Sequence, residues 1–319
     1  RGRGTIRDEG ARPEGVPARA RSRRLDAGVC ARSRRETPPA AVANARRRRP
    51  QTLVGPAANA RRRRSQNAMD TPPTPLVVAV VLFDGFELLD VGAPCELLGA
   101  VASCFRLVFA AEGAEPVSSS CLAVSGGQPG PAVVPTHRLI FGDPEADAFK
   151  AGLSRSSDAG APLVVPTEGY PYGQRVVPDV VLVPGGKGVR TAVDNVFLNA
   201  WLRKSAETTK IVFTVCTGSW LLAATGGIDG RHATSNNAAL AAAGPQTAGP
   251  RVAWLASARW VEDEADDGRL LLTSSGVSAG GDAALALIAR VAGADEAERV
   301  ATAAEWTWHR DKDADPYNR

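Results

Sequence analysis

Residues 70–319 predict a three-layer α/β/α sandwich: an open, mostly parallel sheet covered by helices on both faces. LVVAVVLF (76–83) is a continuous apolar run of strand length, which suits a central parallel strand buried on both sides. Further strand-like runs alternate with segments whose apolar residues recur every three or four positions, the order expected of βα units. IVFTVCTGSWLLAA (211–224) compresses one such unit into strand, tight turn and helix. Crossovers in a sheet of this kind are right-handed.

The elements follow in order. After the first strand, DGFELLD turns the chain and APCELLGAVA reads as a helix; CFRLVFAA (104–111) is the second strand, and CLAVSGG a short strand of an edge hairpin. VVLVPGG (180–186) is a strand ending in a glycine pair, and NVFLNAWLRKSAETT a helix with apolar spacing of three and four. RVAWLASARWVEDEADDGRLLLTSS reads as two strands around a DDG turn, GGDAALALIARVAG (280–293) as a helix and AERVATAAEWTWH as a last one. Between about 127 and 179 there is too much Pro, Gly, Ser and Asp for a long regular element, so an irregular insertion, a lid or an inter-subunit loop is expected there.

Charge divides the chain at Met69. Residues 1–69 carry 19 Arg, no Lys and five acidic residues, a net +14, whereas the remaining 250 residues carry −10. With ARRRRP and ARRRRS and no aromatic residue, the first segment cannot bury enough surface to offset roughly 1–2 kcal/mol per residue of ordering entropy, and is expected to be a disordered leader. Three readings of it stand side by side: a targeting address, a phosphate-binding arm, or a GC-rich leader translated in error ahead of Met69, the chain's only methionine. Residues 70–319 are read as one domain, large enough for a single core. Its acidic balance gives nucleic acid little to hold.

No apolar run reaches 18 residues, so neither a membrane span nor a secretory signal is indicated. Five cysteines without CxxC spacing and three histidines argue against a metal site and for reduced thiols in the cytoplasm.

In an open parallel sheet, ligands bind beyond the C-terminal ends of the strands. Three such ends carry chemistry: Asp84 to Asp90, the pair Gly185 and Gly186, and Cys216. A cysteine between a strand and a helix N-terminus points its thiol out of the turn, where helix amides lower its pKa; a small buried hydrophobe is the competing reading. Gly218 permits the turn, and the Thr217 amide is placed as an oxyanion donor. Gly185 and Gly186 offer unhindered amides to a bound oxygen or nitrogen. Asp90, flanked by Leu88, Leu89 and Val91, is the acid most exposed to desolvation and so the one fitted to hold a proton near neutrality; it also reads as a helix N-cap. His232 is a base for Cys216 or, more simply, a solvated structural histidine, and His309 lies in a polar tail.

FDGFELLDVGAP, VVLVPGGKG, VCTGSWLLAATGGIDGRHATS and TSSGVSAGGDAALALIARVAG, in that order, resemble the DJ-1/PfpI superfamily of the class I glutamine-amidotransferase-like, flavodoxin-like fold. The CTGS form with LLD looks most like isonitrile hydratase and its relatives, and the tail AAEWTWHRDKDADPYN resembles fungal members. The resemblance implies a cysteine nucleophile at Cys216, an acidic partner at Asp90, Thr217 after the nucleophile and Gly185 and Gly186 beside it. It further implies a homodimer, no cofactor and a small electrophilic substrate. The activity it implies is hydration of an isocyanide to an N-substituted formamide, with glyoxalase or deglycase chemistry or a cysteine redox sensor as alternatives. Thr217 stands where glyoxalase-like relatives often carry histidine. Asn236 and Asn237 depart from the aromatic or histidine residues common there in the hydratase.

Overall fold

The computed structural model describes residues 74–122, 128–142, 160–168 and 175–318. The Arg-rich leader, and 143–159 and 169–174 of the 127–179 segment, lie outside the described residues. The described residues all fall within one compact unit.

The strands run β1 (Leu76–Val81), β2 (Phe86–Glu87), β3 (Phe105–Ala111), β4 (Val117–Ser120), β5 (Pro129–Val133), β6 (His137–Phe141), β7 (Pro162–Pro166), β8 (Val180–Val183), β9 (Ile211–Val215), β10 (His232–Ala233), β11 (Ala253–Trp254), β12 (Trp260–Glu264) and β13 (Leu270–Ser274). The helices are α1 (Leu88–Gly99), α2 (Val189–Ala192), α3 (Val196–Thr208), α4 (Gly218–Ala224), α5 (Asn237–Ala241), α6 (Gly244–Ala248), α7 (Ala279–Ala292) and α8 (Ala294–Ala303). The main sheet has eight strands in the order β12-β13-β9-β8-β1-β3-β6-β7. Its six inner strands pair parallel, and only the edge strands β12 and β7 pair antiparallel. Helices α1, α7 and α8 pack together, as do α3, α4 and α6, with the sheet between the two groups.

The apolar runs go where their composition sends them. Val78, Val80, Val181, Leu182 and Phe213 are fully buried, as continuous apolar strands between two helix layers must be. Trp201 of α3 is also fully buried, and its indole N–H donates to the Ile140 carbonyl on β6, which satisfies the ring's polar atom inside the core. Asn195 caps α3 by accepting the Leu198 amide at 2.9 Å.

Two expectations need correction. The 127–179 segment holds short strands rather than only irregular chain: β6 pairs with β3 and β7 with β6, extending the main sheet, while β5 pairs with β4. Composition hid β5 and the edge strand β7, which carry Pro or Gly that an inner strand excludes, while β6 is a short HRLIF run between Pro- and Gly-rich flanks. The edge strand read at CLAVSGG lies earlier, at β4, and 123–127 fall outside the described residues.

The topology fixes where a ligand fits. From β1 the chain proceeds to β3 and β6 on one side, and to β8, β9 and β13 on the other. The boundary between β1 and β8 is therefore the switch point, where crossing helices diverge and open a crevice at the strand C-termini.

Candidate active site

Cys216 follows β9 and precedes α4, and its φ of 57° puts a non-glycine residue in the left-handed region. That conformation costs about 1–2 kcal/mol and persists where the surroundings fix it. Here the Cys216 amide donates to the Ser274 and Ser275 carbonyls at 3.2 and 3.0 Å. Its carbonyl accepts the hydroxyls of Ser219 at 3.0 Å and Ser235 at 3.1 Å. The turn is thus held from three segments at once. Gly218 serves it differently from the expectation: the left-handed residue is Cys216, and Gly218 is needed because a Cβ there would collide with the Val183 carbonyl of β8.

Asp90 is fully buried in the first turn of α1. The N-cap reading does not hold, since the cap position is Glu87 and the Asp90 carboxylate instead accepts the Gly185 amide through Oδ2 at 2.9 Å. Oδ1 is buried with no hydrogen-bond partner. Burial drives the Asp90 pKa well above the ordinary carboxylate range and Glu87 adds repulsion, while the Gly185 amide and the nearby Cys216 thiol pull weakly the other way. The carboxyl is therefore held toward its protonated form.

The Cys216 thiol moves opposite to the sequence expectation. Burial pushes its pKa up and the Asp90 charge pushes it further, against the amides of Val277 and Thr217 and the Asn236 side chain. A seven-residue helix N-terminus does not outweigh that desolvation. Cys95 shows what burial alone does: its thiol is pushed to about 12 with no polar group opposing.

The glycine pair is placed at the site, but its amides are already engaged. Gly185 N–H donates to Asp90 and Gly186 N–H to Thr217 Oγ1 at 3.0 Å, so these amides position the acid and the turn rather than facing a ligand. A Cβ on Gly185 would stand 2.5 Å from Thr217 N and Oγ1 and 3.0 Å from Asp90 Oδ2. The approach of the β8 loop to the β9 turn requires glycine at that point.

Cys216 and Thr217 open into a cavity of about 420 Å³. Glu87, Lys187, Arg190, Trp220 and Asn236 also line it, none of which sequence reasoning selected. Asn236 is the N-cap of α5, accepting the Ala239 amide through Oδ1 at 3.2 Å, which leaves its amide nitrogen for the sulfur. The signal was the NNAAL pattern of a cap before a helix, read only as a departure from relatives. Burial raises the Glu87 pKa against the amides of Leu89 and Leu122 and the Lys187 charge.

No histidine lines this cavity. His232 is exposed and hydrogen-bonds Asp263 through Nδ1 at 2.9 Å, while the His309 amide donates to Asp282. Among the described residues no cluster of three His, Cys, Asp or Glu could hold a metal, and no helix is long and apolar enough to cross a membrane.

Behind the site runs a second polar cluster. Asp315 accepts the Ser275 hydroxyl and the Asn237 amide nitrogen, the latter at 2.9 Å, and Arg259 Nη1 at 3.4 Å. Arg259 also donates to Asp282 at 2.8 and 2.9 Å, and Asp282 accepts the Trp306 indole N–H at 3.0 Å. The tail thus ties down both segments that flank Cys216, 235–237 and 275–277.

A mostly parallel α/β sheet with a cysteine at a strained strand-to-helix elbow, beside a buried acid from the first helix, defines a recognisable class of α/β protein. Residues 172–290 match the DJ-1/PfpI family, and over that segment the chain is similar to members of the DJ-1/PfpI superfamily. It is 33% identical over 122 residues to the isonitrile hydratase of Pseudomonas putida, a match spanning 38% of this chain and 49%, about half, of that protein. The crystal structure of a THiJ/PfpI family protein from Pseudomonas syringae covers 84% of each chain at 23% identity with a TM-score of 0.50, a likeness of fold.

Proposed function

We propose that the protein is a cysteine-dependent hydratase acting on an isocyanide, with Cys216 as nucleophile and Asp90 as proton donor. The reading is supported most by one observation: a buried carboxyl, held toward its acid form with one oxygen unpartnered, stands beside the thiol. Cys216 sulfur bonds to the terminal carbon of R–NC, and Asp90 delivers its proton to that carbon. The thiol proton refills Asp90, so the enzyme's net protonation is unchanged and the product of this half is a thioimidate, R–N=CH–S–Cys. Water then adds to the same carbon, the C–S bond breaks, and the sulfur recovers a proton as R–NH–CHO leaves. Thr217 and Val277 amides and the Asn236 amide nitrogen surround the sulfur and orient the adduct. No step calls for a metal or organic cofactor.

A neutral resting thiol suits this addition, because the proton leaves as the S–C bond forms. It suits a redox sensor less well, since peroxide reacts with thiolate and burial and the Asp90 charge both oppose that form. Glyoxalase-type chemistry through a hemithioacetal remains the second enzymatic reading of the same thiol and acid. A homodimer, and one domain from 70 to 319 that functions without the leader, belong to the same proposal; sedimentation and a protein beginning at Met69 test them.

The reaction is tested by following formamide formation from alkyl and aryl isocyanides by NMR. The native protein forms the formamide and Cys216→Ser forms none. Absence of formamide from every isocyanide, with turnover of glyoxals instead, would replace this reading with the second.

A further inference from the structure

The chemistry at sulfur leaves one wall of the cavity without a role. Lys187 and Arg190, from the loop after β8 and from α2, line the same space as Cys216. The Arg190 guanidinium lies 6.0 Å from the centroid of the Trp220 ring, which also lines the cavity. Arg190 has no ion-pair partner among the described residues, whereas Arg259 is bound between two carboxylates. The single carboxyl lining the cavity is Glu87, whose charge is met by Lys187, so two cations face one carboxyl and Arg190 is the cation in excess. The wall is therefore cationic, and its guanidinium sits over an aromatic face with its donors free.

We propose that this cavity selects electrophiles carrying a carboxylate, with the reacting carbon at Cys216 and the carboxylate met by Arg190 and Lys187. The inference rests on reading Cys216 as the nucleophile and names the substrate class: a small isocyanide whose nitrogen substituent bears a carboxylate. A guanidinium matches a carboxylate with two parallel N–H bonds, which an ammonium cannot do, so Arg190 sets direction and Lys187 adds charge. Trp220, Ala238 and Ala239 line the same space and offer apolar surface to the atoms between the two ends. Both cations are exposed, so each contributes modestly and is screened by salt.

Iodoacetate and iodoacetamide deliver the same carbon to sulfur with loss of iodide and differ in charge, so their rate ratio at Cys216 reads the wall directly. The ratio is expected to fall about fivefold in Arg190→Gln, further when Lys187→Gln is added, and by an intermediate amount in Arg190→Lys, which keeps the charge and loses the paired N–H bonds. A ratio equal in the native and doubly substituted proteins overturns the proposal. Where Cys216 resists alkylation altogether, calorimetry on Cys216→Ser decides. N-formylglycine is expected to bind at least about fivefold tighter than N-formylglycinamide and to lose that advantage in Arg190→Gln. Equal affinities, or binding of neither, overturn it. Neither measurement needs turnover, so a protein that hydrates no isocyanide yet discriminates by charge loses the reaction and keeps the cationic wall.

Discussion

Asp90 and Asp315 are both buried and both contact segments that hold Cys216, yet their pKa values are driven in opposite directions. Asp315 meets Arg259, the Ser275 hydroxyl, the Asn237 amide and the Tyr317 amide, which together outweigh its desolvation and hold its pKa below the usual value. Asp90 meets one backbone amide and a thiol in apolar surroundings, and desolvation wins. The difference lies in partners and in depth together, since Asp90 is the more deeply desolvated of the two. A carboxylate with a guanidinium is a fixed tie; one left without such a partner is a reservoir for a proton.

The comparison is broken most severely by Asp90→Asn. Losing a general acid costs roughly 10²–10⁴ in rate, so kcat for formamide formation is expected to fall by at least about a hundredfold, with Cys216 still open to alkylation. Asp315→Ala acts on stability instead. It removes one partner of a buried ion pair and two side-chain hydrogen bonds, and a loss of about 3–5 kcal/mol in urea denaturation is expected. Gly185→Ala drives a methyl into Thr217 and Asp90, at about 1–3 kcal/mol, and disturbs both functions together.

The two acids also give opposite pH slopes. The Asp315 contribution is fully present above the unfolded carboxyl value of about 3.9 and is lost as pH falls through its lower folded value. For Asp90 the native state retains a proton that the unfolded chain has released, so stability declines as pH rises from about 3.9 to its raised folded value. Denaturation of Asp90→Asn across pH should lack that decline and give a protein more stable than native above neutrality. The same substitution removes the charge that raises the thiol, so the midpoint of Cys216 alkylation, expected above the free-thiol value of about 8.5, should move down. The smallest effect is expected from His232→Ala, whose exposed ring pairs with Asp263 away from the cavity; kcat should stay within about twofold.

The inner sheet is legible because buried parallel strands are continuous apolar runs: 76–81, 105–111, 180–183 and 211–215 are strands within the runs read from the sequence. So are Cys216 at its elbow, Asp90 and the glycine pair, since strand ends at a switch point converge whatever lies between them in sequence. The edge strand β7 and its inner neighbour β6 are not, because β7 is bounded by Pro at both ends and β6, HRLIF, is a short run opened by two basic residues. The direction of the thiol shift is hidden from the sequence for a related reason. A helix N-terminus is visible in sequence, whereas the desolvation that outweighs it depends on residues from distant segments closing over the sulfur. Asn236, Lys187 and Arg190 were missed likewise, as cavity lining is a property of packing and not of local pattern.

The central claim is that Asp90 holds a proton beside Cys216 at neutral pH. Difference infrared spectroscopy of the native protein against Asp90→Asn at pH 7 reads it without substrate. A carbonyl band of a protonated carboxylic acid, present in the native protein and absent from the variant, is the result this account predicts. A difference spectrum showing only an ionised carboxylate would contradict it and leave Cys216 without its proton donor.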